Sequence, residues 1–405
     1  MERTNKTDIG ALFFFLLIMY EMRTFLFQIS PYITVGLTFV VLFVNICFII
    51  RVNVKDKLLP FIRVLNLFLF LLVIYGLILI ISGKSLHVYE ADNAPVNTTA
   101  FLIKSITSLG PIYAFYDIGL RGFLWEGRIK HWFYIVIAVS LLLFVQNRVE
   151  LIAGGKEATE VTNNMGYYFV TMIPFLVFFQ NKRATQYFLL AFFAIMIVTS
   201  AKRGAMVVGL LAILFFFILT LKRKEKGGKI WYILITSFFI AVMAYFMINY
   251  YSSNDYLQLR MQRTMEGDSS FRDVIYAELW FHFIQDTSLW HQLFGYGAWA
   301  TLDITVNYAH QDWLELLTDM GLLGVTIYLW FWCSFFKTSI KCRKVGLKKE
   351  YSILILVFII FFAKSLFSMS FDSMGLIPGL CMGYALSSFA KFSFSNNSQY
   401  YVQKQ

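Results

Sequence analysis

Apolar stretches of membrane-crossing length recur along this 405-residue chain, and they decide most of what it can fold into. A helix needs about 20 consecutive apolar residues to cross a bilayer, and in lipid only an intact helix or a closed barrel satisfies every backbone hydrogen bond. Twelve stretches read as spans: roughly Asp8–Phe27, Pro31–Ile50, Phe61–Ser82, Ala100–Leu120, His131–Gln146, Met165–Gln180, Gln186–Thr199, Gly204–Leu221, Ile230–Tyr250, Trp313–Phe336, Tyr351–Ser368 and Met374–Ala390. The first holds Glu21 and Arg23 and the fourth holds Lys104, Gly110 and Pro111, so these two carry the weakest signal. Ile9–Tyr20 has no small-residue cleavage site after it and reads as a first span, not a signal peptide. The expected fold is an all-α polytopic membrane protein with no sizeable soluble domain. Composition agrees: 15% of the residues are charged, against about 25% in an average soluble protein.

Charge then sets orientation. Alternate loops hold Arg51, Lys55, Lys57 and Arg63; Arg121, Arg128 and Lys130; Lys182 and Arg183; Lys222, Arg223, Lys224, Lys226 and Lys229; and Lys337, Lys341, Arg343, Lys344, Lys348 and Lys349. Basic loops stay on the cytoplasmic side. The intervening loops carry Glu90 and Asp92, then Glu150, Glu157 and Glu160, then the long polar segment Tyr251–Ala309. Twelve spans with both termini inside satisfy every loop. Residues 1–250 are then an N-terminal bundle of about nine spans, 251–312 a large outer loop, 313–391 a C-terminal bundle of three spans, and 392–405 a cytoplasmic tail. The net charge of +11 is accounted for by orientation, which removes the argument for a nucleic-acid partner. Cys47, Cys333, Cys342 and Cys381 fall on spans or a basic loop, so no structural disulfide is expected.

The outer loop is not filler. Within Arg272–Gln285, Ile275, Leu279, His282 and Phe283 recur at helical spacing, and Ser269 or Ser270 is placed to cap that helix. The spacing predicts a helix lying on the outer membrane surface, turned back toward the spans by Gly295-Tyr296-Gly297.

Three outer features carry chemistry. Lys202 and Arg203, in Ser200-Ala201-Lys202-Arg203-Gly204-Ala205, run against the usual charge bias of an outer turn. They either snorkel to headgroups or hold an anion. The planar fork of arginine suits bidentate phosphate contacts, so a diphosphate is a natural ligand. Arg272 opens the surface helix, where a cation opposes the macrodipole unless something anionic sits nearby. That partner is either Asp268 or Asp273, or a ligand. Arg260 and Arg263 read as solvated or headgroup-facing. His310 sits where the loop meets a span, with Asp312 and Glu315 close enough in sequence to orient its ring, and the Gly321/Gly324 pair allows close helix packing behind it. Histidine changes protonation near neutral pH and can move protons either way. No Walker A motif, zinc-type Cys/His spacing or nucleophile elbow is present, and no acidic pair of D-x-D type marks the outer loop. Neither a cofactor nor a metal site is indicated; two arginines can supply the positive charge instead.

The order S-A-K-R-G-A at a span boundary, S-F-R, L-F-G-Y-G, then A-H-Q-D-W-L-E-L-L-T-D-M-G-L-L-G resembles the O-antigen ligase and polymerase superfamily, of Wzy and WaaL type, from about Thr199 to Leu329. Members usually have His-Asn where this chain has His310-Gln311. The resemblance implies a GT-C-like membrane glycosyltransferase that inverts the anomeric carbon without a metal. Its donor would be an undecaprenyl-diphosphate-linked oligosaccharide at the outer face of a bacterial inner membrane. Arg203 and Arg272 would engage the donor diphosphate and His310 would act on the acceptor hydroxyl. A polymerase that joins lipid-linked repeats into O-antigen, capsular polysaccharide or exopolysaccharide is the favoured member, since no extra acceptor-binding domain is visible. A ligase to lipid A core and a protein oligosaccharyltransferase are the alternatives. A flippase and a chain-length regulator are the protein partners such a polymerase implies. A transporter is the rival from another class, but transporters place charges and broken helices at mid-membrane, where only Lys104 and Lys364 fall here.

Overall fold

A computed structural model describes residues 8–55, 58–88, 94–153, 163–223, 226–266 and 271–402. The helices run in order: α1 (Ile9–Glu21), α2 (Arg23–Ile29), α3 (Pro31–Asn53), α4 (Pro60–Ser82), α5 (Thr99–Leu120), α6 (Glu126–Ala153), α7 (Gly166–Met172), α8 (Arg183–Thr199) and α9 (Arg203–Arg223). They continue with α10 (Lys226–Ser252), α11 (Asp255–Met265), α12 (Arg272–Gln285), α13 (Leu289–Phe294), α14 (Ala300–Thr305), α15 (Asp312–Lys344), α16 (Lys348–Ser365) and α17 (Leu376–Val402). Between α4 and α5 a small antiparallel hairpin, β1 (Leu86–Val88) and β2 (Ala94–Val96), pairs Leu86 with Val96 and His87 with Pro95.

Each stretch expected to span lies mostly on helix, though the last two run past the end of α16 and begin ahead of α17, and not all twelve have the length and apolarity of a membrane crossing. Among the described residues, six helices are fit to cross a membrane by length and composition: α3, α4, α6, α9, α10 and α15. A seventh crossing is added if the bent pair α1–α2 counts as one. The first expected span is not one straight helix but breaks at Met22 with a bend of 67°. Arg23 Nη1 donates to Tyr20 O at 3.1 Å and its guanidinium lies 4.5 Å from the Tyr20 ring, so the cation folds back over the end of α1. The stretch expected at Met165–Gln180 begins as α7 and tightens into a 3₁₀ helix over Ile173–Phe179. Pro174 has no N–H to donate to Val170 O, which removes an α-type bond at that point. Glu90, Asp92, Glu157, Glu160, Asp268, Ser269 and Ser270 lie outside the described residues, and with them the expected cap of α12.

The chain forms two compact units, Met1–Ile129 with Arg272–Leu354 and Ser365–Gln405, and Lys130–Phe271 with Ile355–Lys364. In the first, α5 packs along α17, α3 and α4. Gly379 and Gly383 of α17 lie so close to α5 that an added Cβ would come within 2.8 Å of Pro111 Cβ and 2.6 Å of Phe115 C. Small residues let helix backbones approach in this way, which matters in lipid because close packing, not removal from water, holds helices together. On another side α4 meets α15 through aromatic rings, with Phe68 5.3 Å from Tyr328 and Phe61 5.0 Å from Phe335. The second unit is built on α7, α8 and α9, with Phe133 stacked on Phe175 at 4.6 Å.

Candidate functional site

Three carboxylates on the first two turns of α15 organise the site in the first unit. Asp312, Glu315 and Asp319 are spaced three and four residues apart, which puts them on one face of the helix, and all three are buried. A buried carboxylate needs donors, and each has them. Asp312 accepts from the Ser370 N–H at 2.7 Å and from the Tyr328 hydroxyl. Glu315 accepts from Thr301 Oγ1 at 2.9 Å and from the Ala309 N–H at 2.8 Å. Asp319 accepts from the Trp299 and Ala300 N–H groups, both at 2.9 Å. Glu315 and Asp319 therefore hold the segment that leads into His310. The sequence expected Glu315 to orient the imidazole; both its oxygens instead take groups upstream of the ring.

That segment needs holding because it is strained. Trp299, Val306 and His310 have φ of 56°, 57° and 55°, a left-handed conformation that costs about 1–2 kcal/mol for a residue with a Cβ. Each net hydrogen bond returns about 0.5–1.5 kcal/mol, so the two from Asp319 offset the strain at Trp299. Strain of this kind persists where surroundings over-determine it, and it clusters at functional sites. His310 is half-buried and directly follows the anchored, fully buried Ala309.

The helix carrying these carboxylates breaks at Gly321, whose φ of 61° and ψ of −157° are open only to glycine. The break frees the carbonyls of Thr318 and Asp319, and the Tyr296 and Gly297 N–H groups bond to them, each at 2.9 Å. Gly321 does allow the expected close helix packing, against α13, where a Cβ would lie 2.6 Å from Leu293 C and 2.7 Å from Gln292 O; a Cβ on Gly324 would meet only Leu316 and Met320 of its own helix. Tyr296 also lies between two imidazoles, 4.8 Å from His282 and 4.7 Å from His291. His291 Nδ1 is 2.6 Å from Asp286 Oδ2. The Ser288 N–H, His291 and Tyr296 hold the Asp286 carboxyl below its ordinary range, while burial and Asp286 push the Tyr296 phenol up to about 12.

Arg272 opens α12, immediately after Phe271 with its φ of 63°. The expected helical spacing of that element holds, since Ile275 and Leu279 pack against Ala309, Leu314 and Leu317. Arg272 Nη1 donates to Phe367 O at 2.8 Å. Asp312 and Trp313 bind the same stretch, through Ser370 N and through a 3.0 Å bond from Trp313 Nε1 to Ser365 Oγ. One short segment is thereby tied to Arg272 and to the start of α15. The opposite side of α12 and α13 leaves Val274, Trp280, Phe281, Ile284, Leu289 and Trp290 exposed.

Lys202 and Arg203 belong to the second unit. Ala201, with φ of 51°, ends the turn and Arg203 opens α9. Ser200 is fully buried, its carbonyl accepts the Asn163 N–H at 2.8 Å, and a Cβ on Gly166 would come within 2.7 Å of Ser200 Cβ. Lys202, Arg272 and His310 thus each sit on or directly after a non-glycine residue in left-handed conformation, at the entry to a helix.

Sequence reasoning missed Asp319, Thr301, Trp299 and the part played by Lys104. The signal for Asp319 was present in the four-residue spacing from Glu315. Lys104, noted only as a mid-span charge, lies with its Nζ 5.6 Å from the Trp299 ring and 5.9 Å from the Tyr308 ring, cation–π distances. It lines a cavity of about 10 Å³ with Glu315, Asp319 and Asp372, room for about one water. Burial first, then Glu315, Asp372 and Asp319, push the Tyr308 phenol up to about 12. Lys364, the other mid-span charge, lies 5.0 Å from the Tyr167 ring in the second unit.

Helices of membrane-crossing length, with a buried carboxylate ladder that fixes a strained histidine loop, define a polytopic membrane protein with a built site at the head of one span. Residues 188–329 match the family model described as O-antigen ligase. That stretch carries a domain of the O-antigen ligase and polymerase superfamily, and it includes Lys202, Arg203, Arg272 and His310. No curated protein matches the chain.

Proposed function

We propose that the chain is a bacterial inner-membrane glycosyltransferase that polymerises polyprenyl-diphosphate-linked oligosaccharide repeats at the outer face. The observation that carries this reading is the match of residues 188–329 to the O-antigen ligase family, which takes in every cation and the histidine singled out for the reaction. His310 takes the proton of the acceptor hydroxyl as its oxygen bonds to the anomeric carbon. The bond from that carbon to the diphosphate oxygen breaks with its electron pair, inverting the carbon and releasing polyprenyl diphosphate. Arg203 and Arg272 bind the diphosphate as its charge grows, and Lys202, next to Arg203 in sequence, adds charge. No metal is required in this scheme, and Glu315 and Asp319 keep the histidine loop in place. His282 and His291 both pack on Tyr296, and Asp286 holds His291 Nδ1 in a way that would orient its ring, so His291 is the next base to test if His310 proves dispensable.

The description of the matched family supports a second reading, transfer of a finished glycan from its polyprenyl carrier to another acceptor. One experiment separates the two. In cells carrying His310→Ala at normal protein level, a polymerase leaves lipid-linked single repeats, whereas a ligase leaves lipid-linked long chains. Normal surface glycan in that strain overturns both.

A further inference from the structure

A cavity of about 350 Å³ opens between the start of α4 and the last third of α15. Arg63 reaches it from α4, and Lys337 and Lys341, one helical turn apart, reach it from α15. Its apolar wall is Val64, Leu67 and Trp330, and no carboxylate lines it. Among the described residues, none of the three cations forms an ion pair. Three like charges around one cavity repel unless an anion lies between them. The helix dipole accounts for only part of the cluster. Lys341 lies in the last turn of α15, where a cation is favourable, but Lys337 lies before that turn and Arg63 lies in the first turn of α4, where a cation is unfavourable.

The mouth of the cavity supplies the second half of the argument. Leu67 is 37% and Trp330 54% exposed, and Phe70, one turn on from Leu67, is 61% exposed. Both helices are long and apolar enough to cross a membrane, so this apolar surface continues along lipid-facing helix. Charge at the helix ends and apolar surface above it is the layout of an interfacial phospholipid. Basic pockets between membrane helices on the cytoplasmic side suit anionic headgroups.

We propose that this cavity binds an anionic phospholipid of the cytoplasmic leaflet. Arg63 forks onto the phosphodiester, Lys337 and Lys341 add charge, and an acyl chain lies along Leu67 and Trp330. The site lies on the part of α15 beyond the Gly321 break, away from His310, and its chemistry is independent of the glycosyl-transfer reading.

The test uses full-length protein, stripped of lipid in neutral detergent, with phosphatidylglycerol, phosphatidylcholine and inorganic phosphate as separate probes. Bound lipid is counted by native mass spectrometry and the unfolding midpoint is followed with each probe. Phosphatidylglycerol is expected to bind and raise the midpoint, and phosphatidylcholine to do neither. Arg63→Gln alone should weaken phosphatidylglycerol about fivefold, the effect of one cation at an anionic surface. Adding Lys337→Gln and Lys341→Gln should weaken it further, while Lys182→Gln/Arg183→Gln/Lys222→Gln, an equal charge loss elsewhere, leaves binding within about twofold. Equal retention by the triple variant, or equal loss in the control, overturns the proposal. So does stabilisation by inorganic phosphate that matches and competes with phosphatidylglycerol, which would make the ligand free phosphate. A triple variant that fails to fold leaves the Arg63→Gln measurement to decide.

Discussion

Gly295 and Gly321 meet backbone to backbone: a Cβ on Gly321 would lie 2.6 Å from Gly295 N, and one on Gly295 would lie 2.5 Å from Asp319 O. The loop enters the break in α15 here and satisfies its freed carbonyls. Gly295→Ala and Gly321→Ala should each cost at least about 3 kcal/mol, because steric overlap adds to a glycine-only conformation. Gly297→Ala meets nothing within 4 Å and should lose only the strain, about 1–2 kcal/mol. Unfolding midpoints in detergent check the order; equal losses at all three would show that the close approach contributes nothing.

The two buried carboxylates that hold the histidine loop should respond differently to amide replacement. Asp319 accepts two backbone N–H groups, so Asp319→Asn turns an NH₂ toward one of them and leaves a donor unsatisfied, at about 1–3 kcal/mol. Glu315 accepts one N–H and one hydroxyl, and a hydroxyl can accept as well as donate. Glu315→Gln should therefore be tolerated within about 1 kcal/mol. Thermal unfolding of the two variants side by side measures the difference, and a Glu315→Gln loss as large as that of Asp319→Asn contradicts it.

The arginine fork is tested by lysine. If Arg203 and Arg272 bind diphosphate through paired hydrogen bonds, a point charge loses the second contact. Arg203→Lys should lose most glycan synthesis at unchanged protein level. Arg272→Lys should be milder. Wild-type synthesis in both variants would return these residues to headgroup contacts.

Metal independence follows from assigning the diphosphate to cations of the protein. Purified enzyme should turn over lipid-linked donor in excess EDTA at the untreated rate. Loss of activity that magnesium or manganese restores would move the diphosphate to a metal site.

Orientation is open to reporter fusions. Fusions after Lys226 and Lys344 should report cytoplasm, and fusions near Asn93, Lys156 and Asp268 should report the outside. An inside signal at Asp268 puts His310 on the wrong face for an extracytoplasmic glycan.

The sequence by itself determined that the chain is helical and membrane-bound, and it located most of the helices, because a lipid interior demands long apolar runs with internally bonded backbones. It also marked α12 to the residue, since Ile275 and Leu279 repeat at the helical period and bury together. Lys202, Arg203, Arg272 and His310 were legible as polar groups at the ends of apolar runs. What only the tertiary structure decided is how His310 is held. Trp299, Thr301 and Ala309 bond to Glu315 and Asp319 across 6 to 20 residues of chain, and Gly295 docks on a helix break that leaves no periodic trace. Periodicity records which face of a helix is apolar; it does not record which backbone groups lack partners, and only the folded chain brings a buried carboxylate to them.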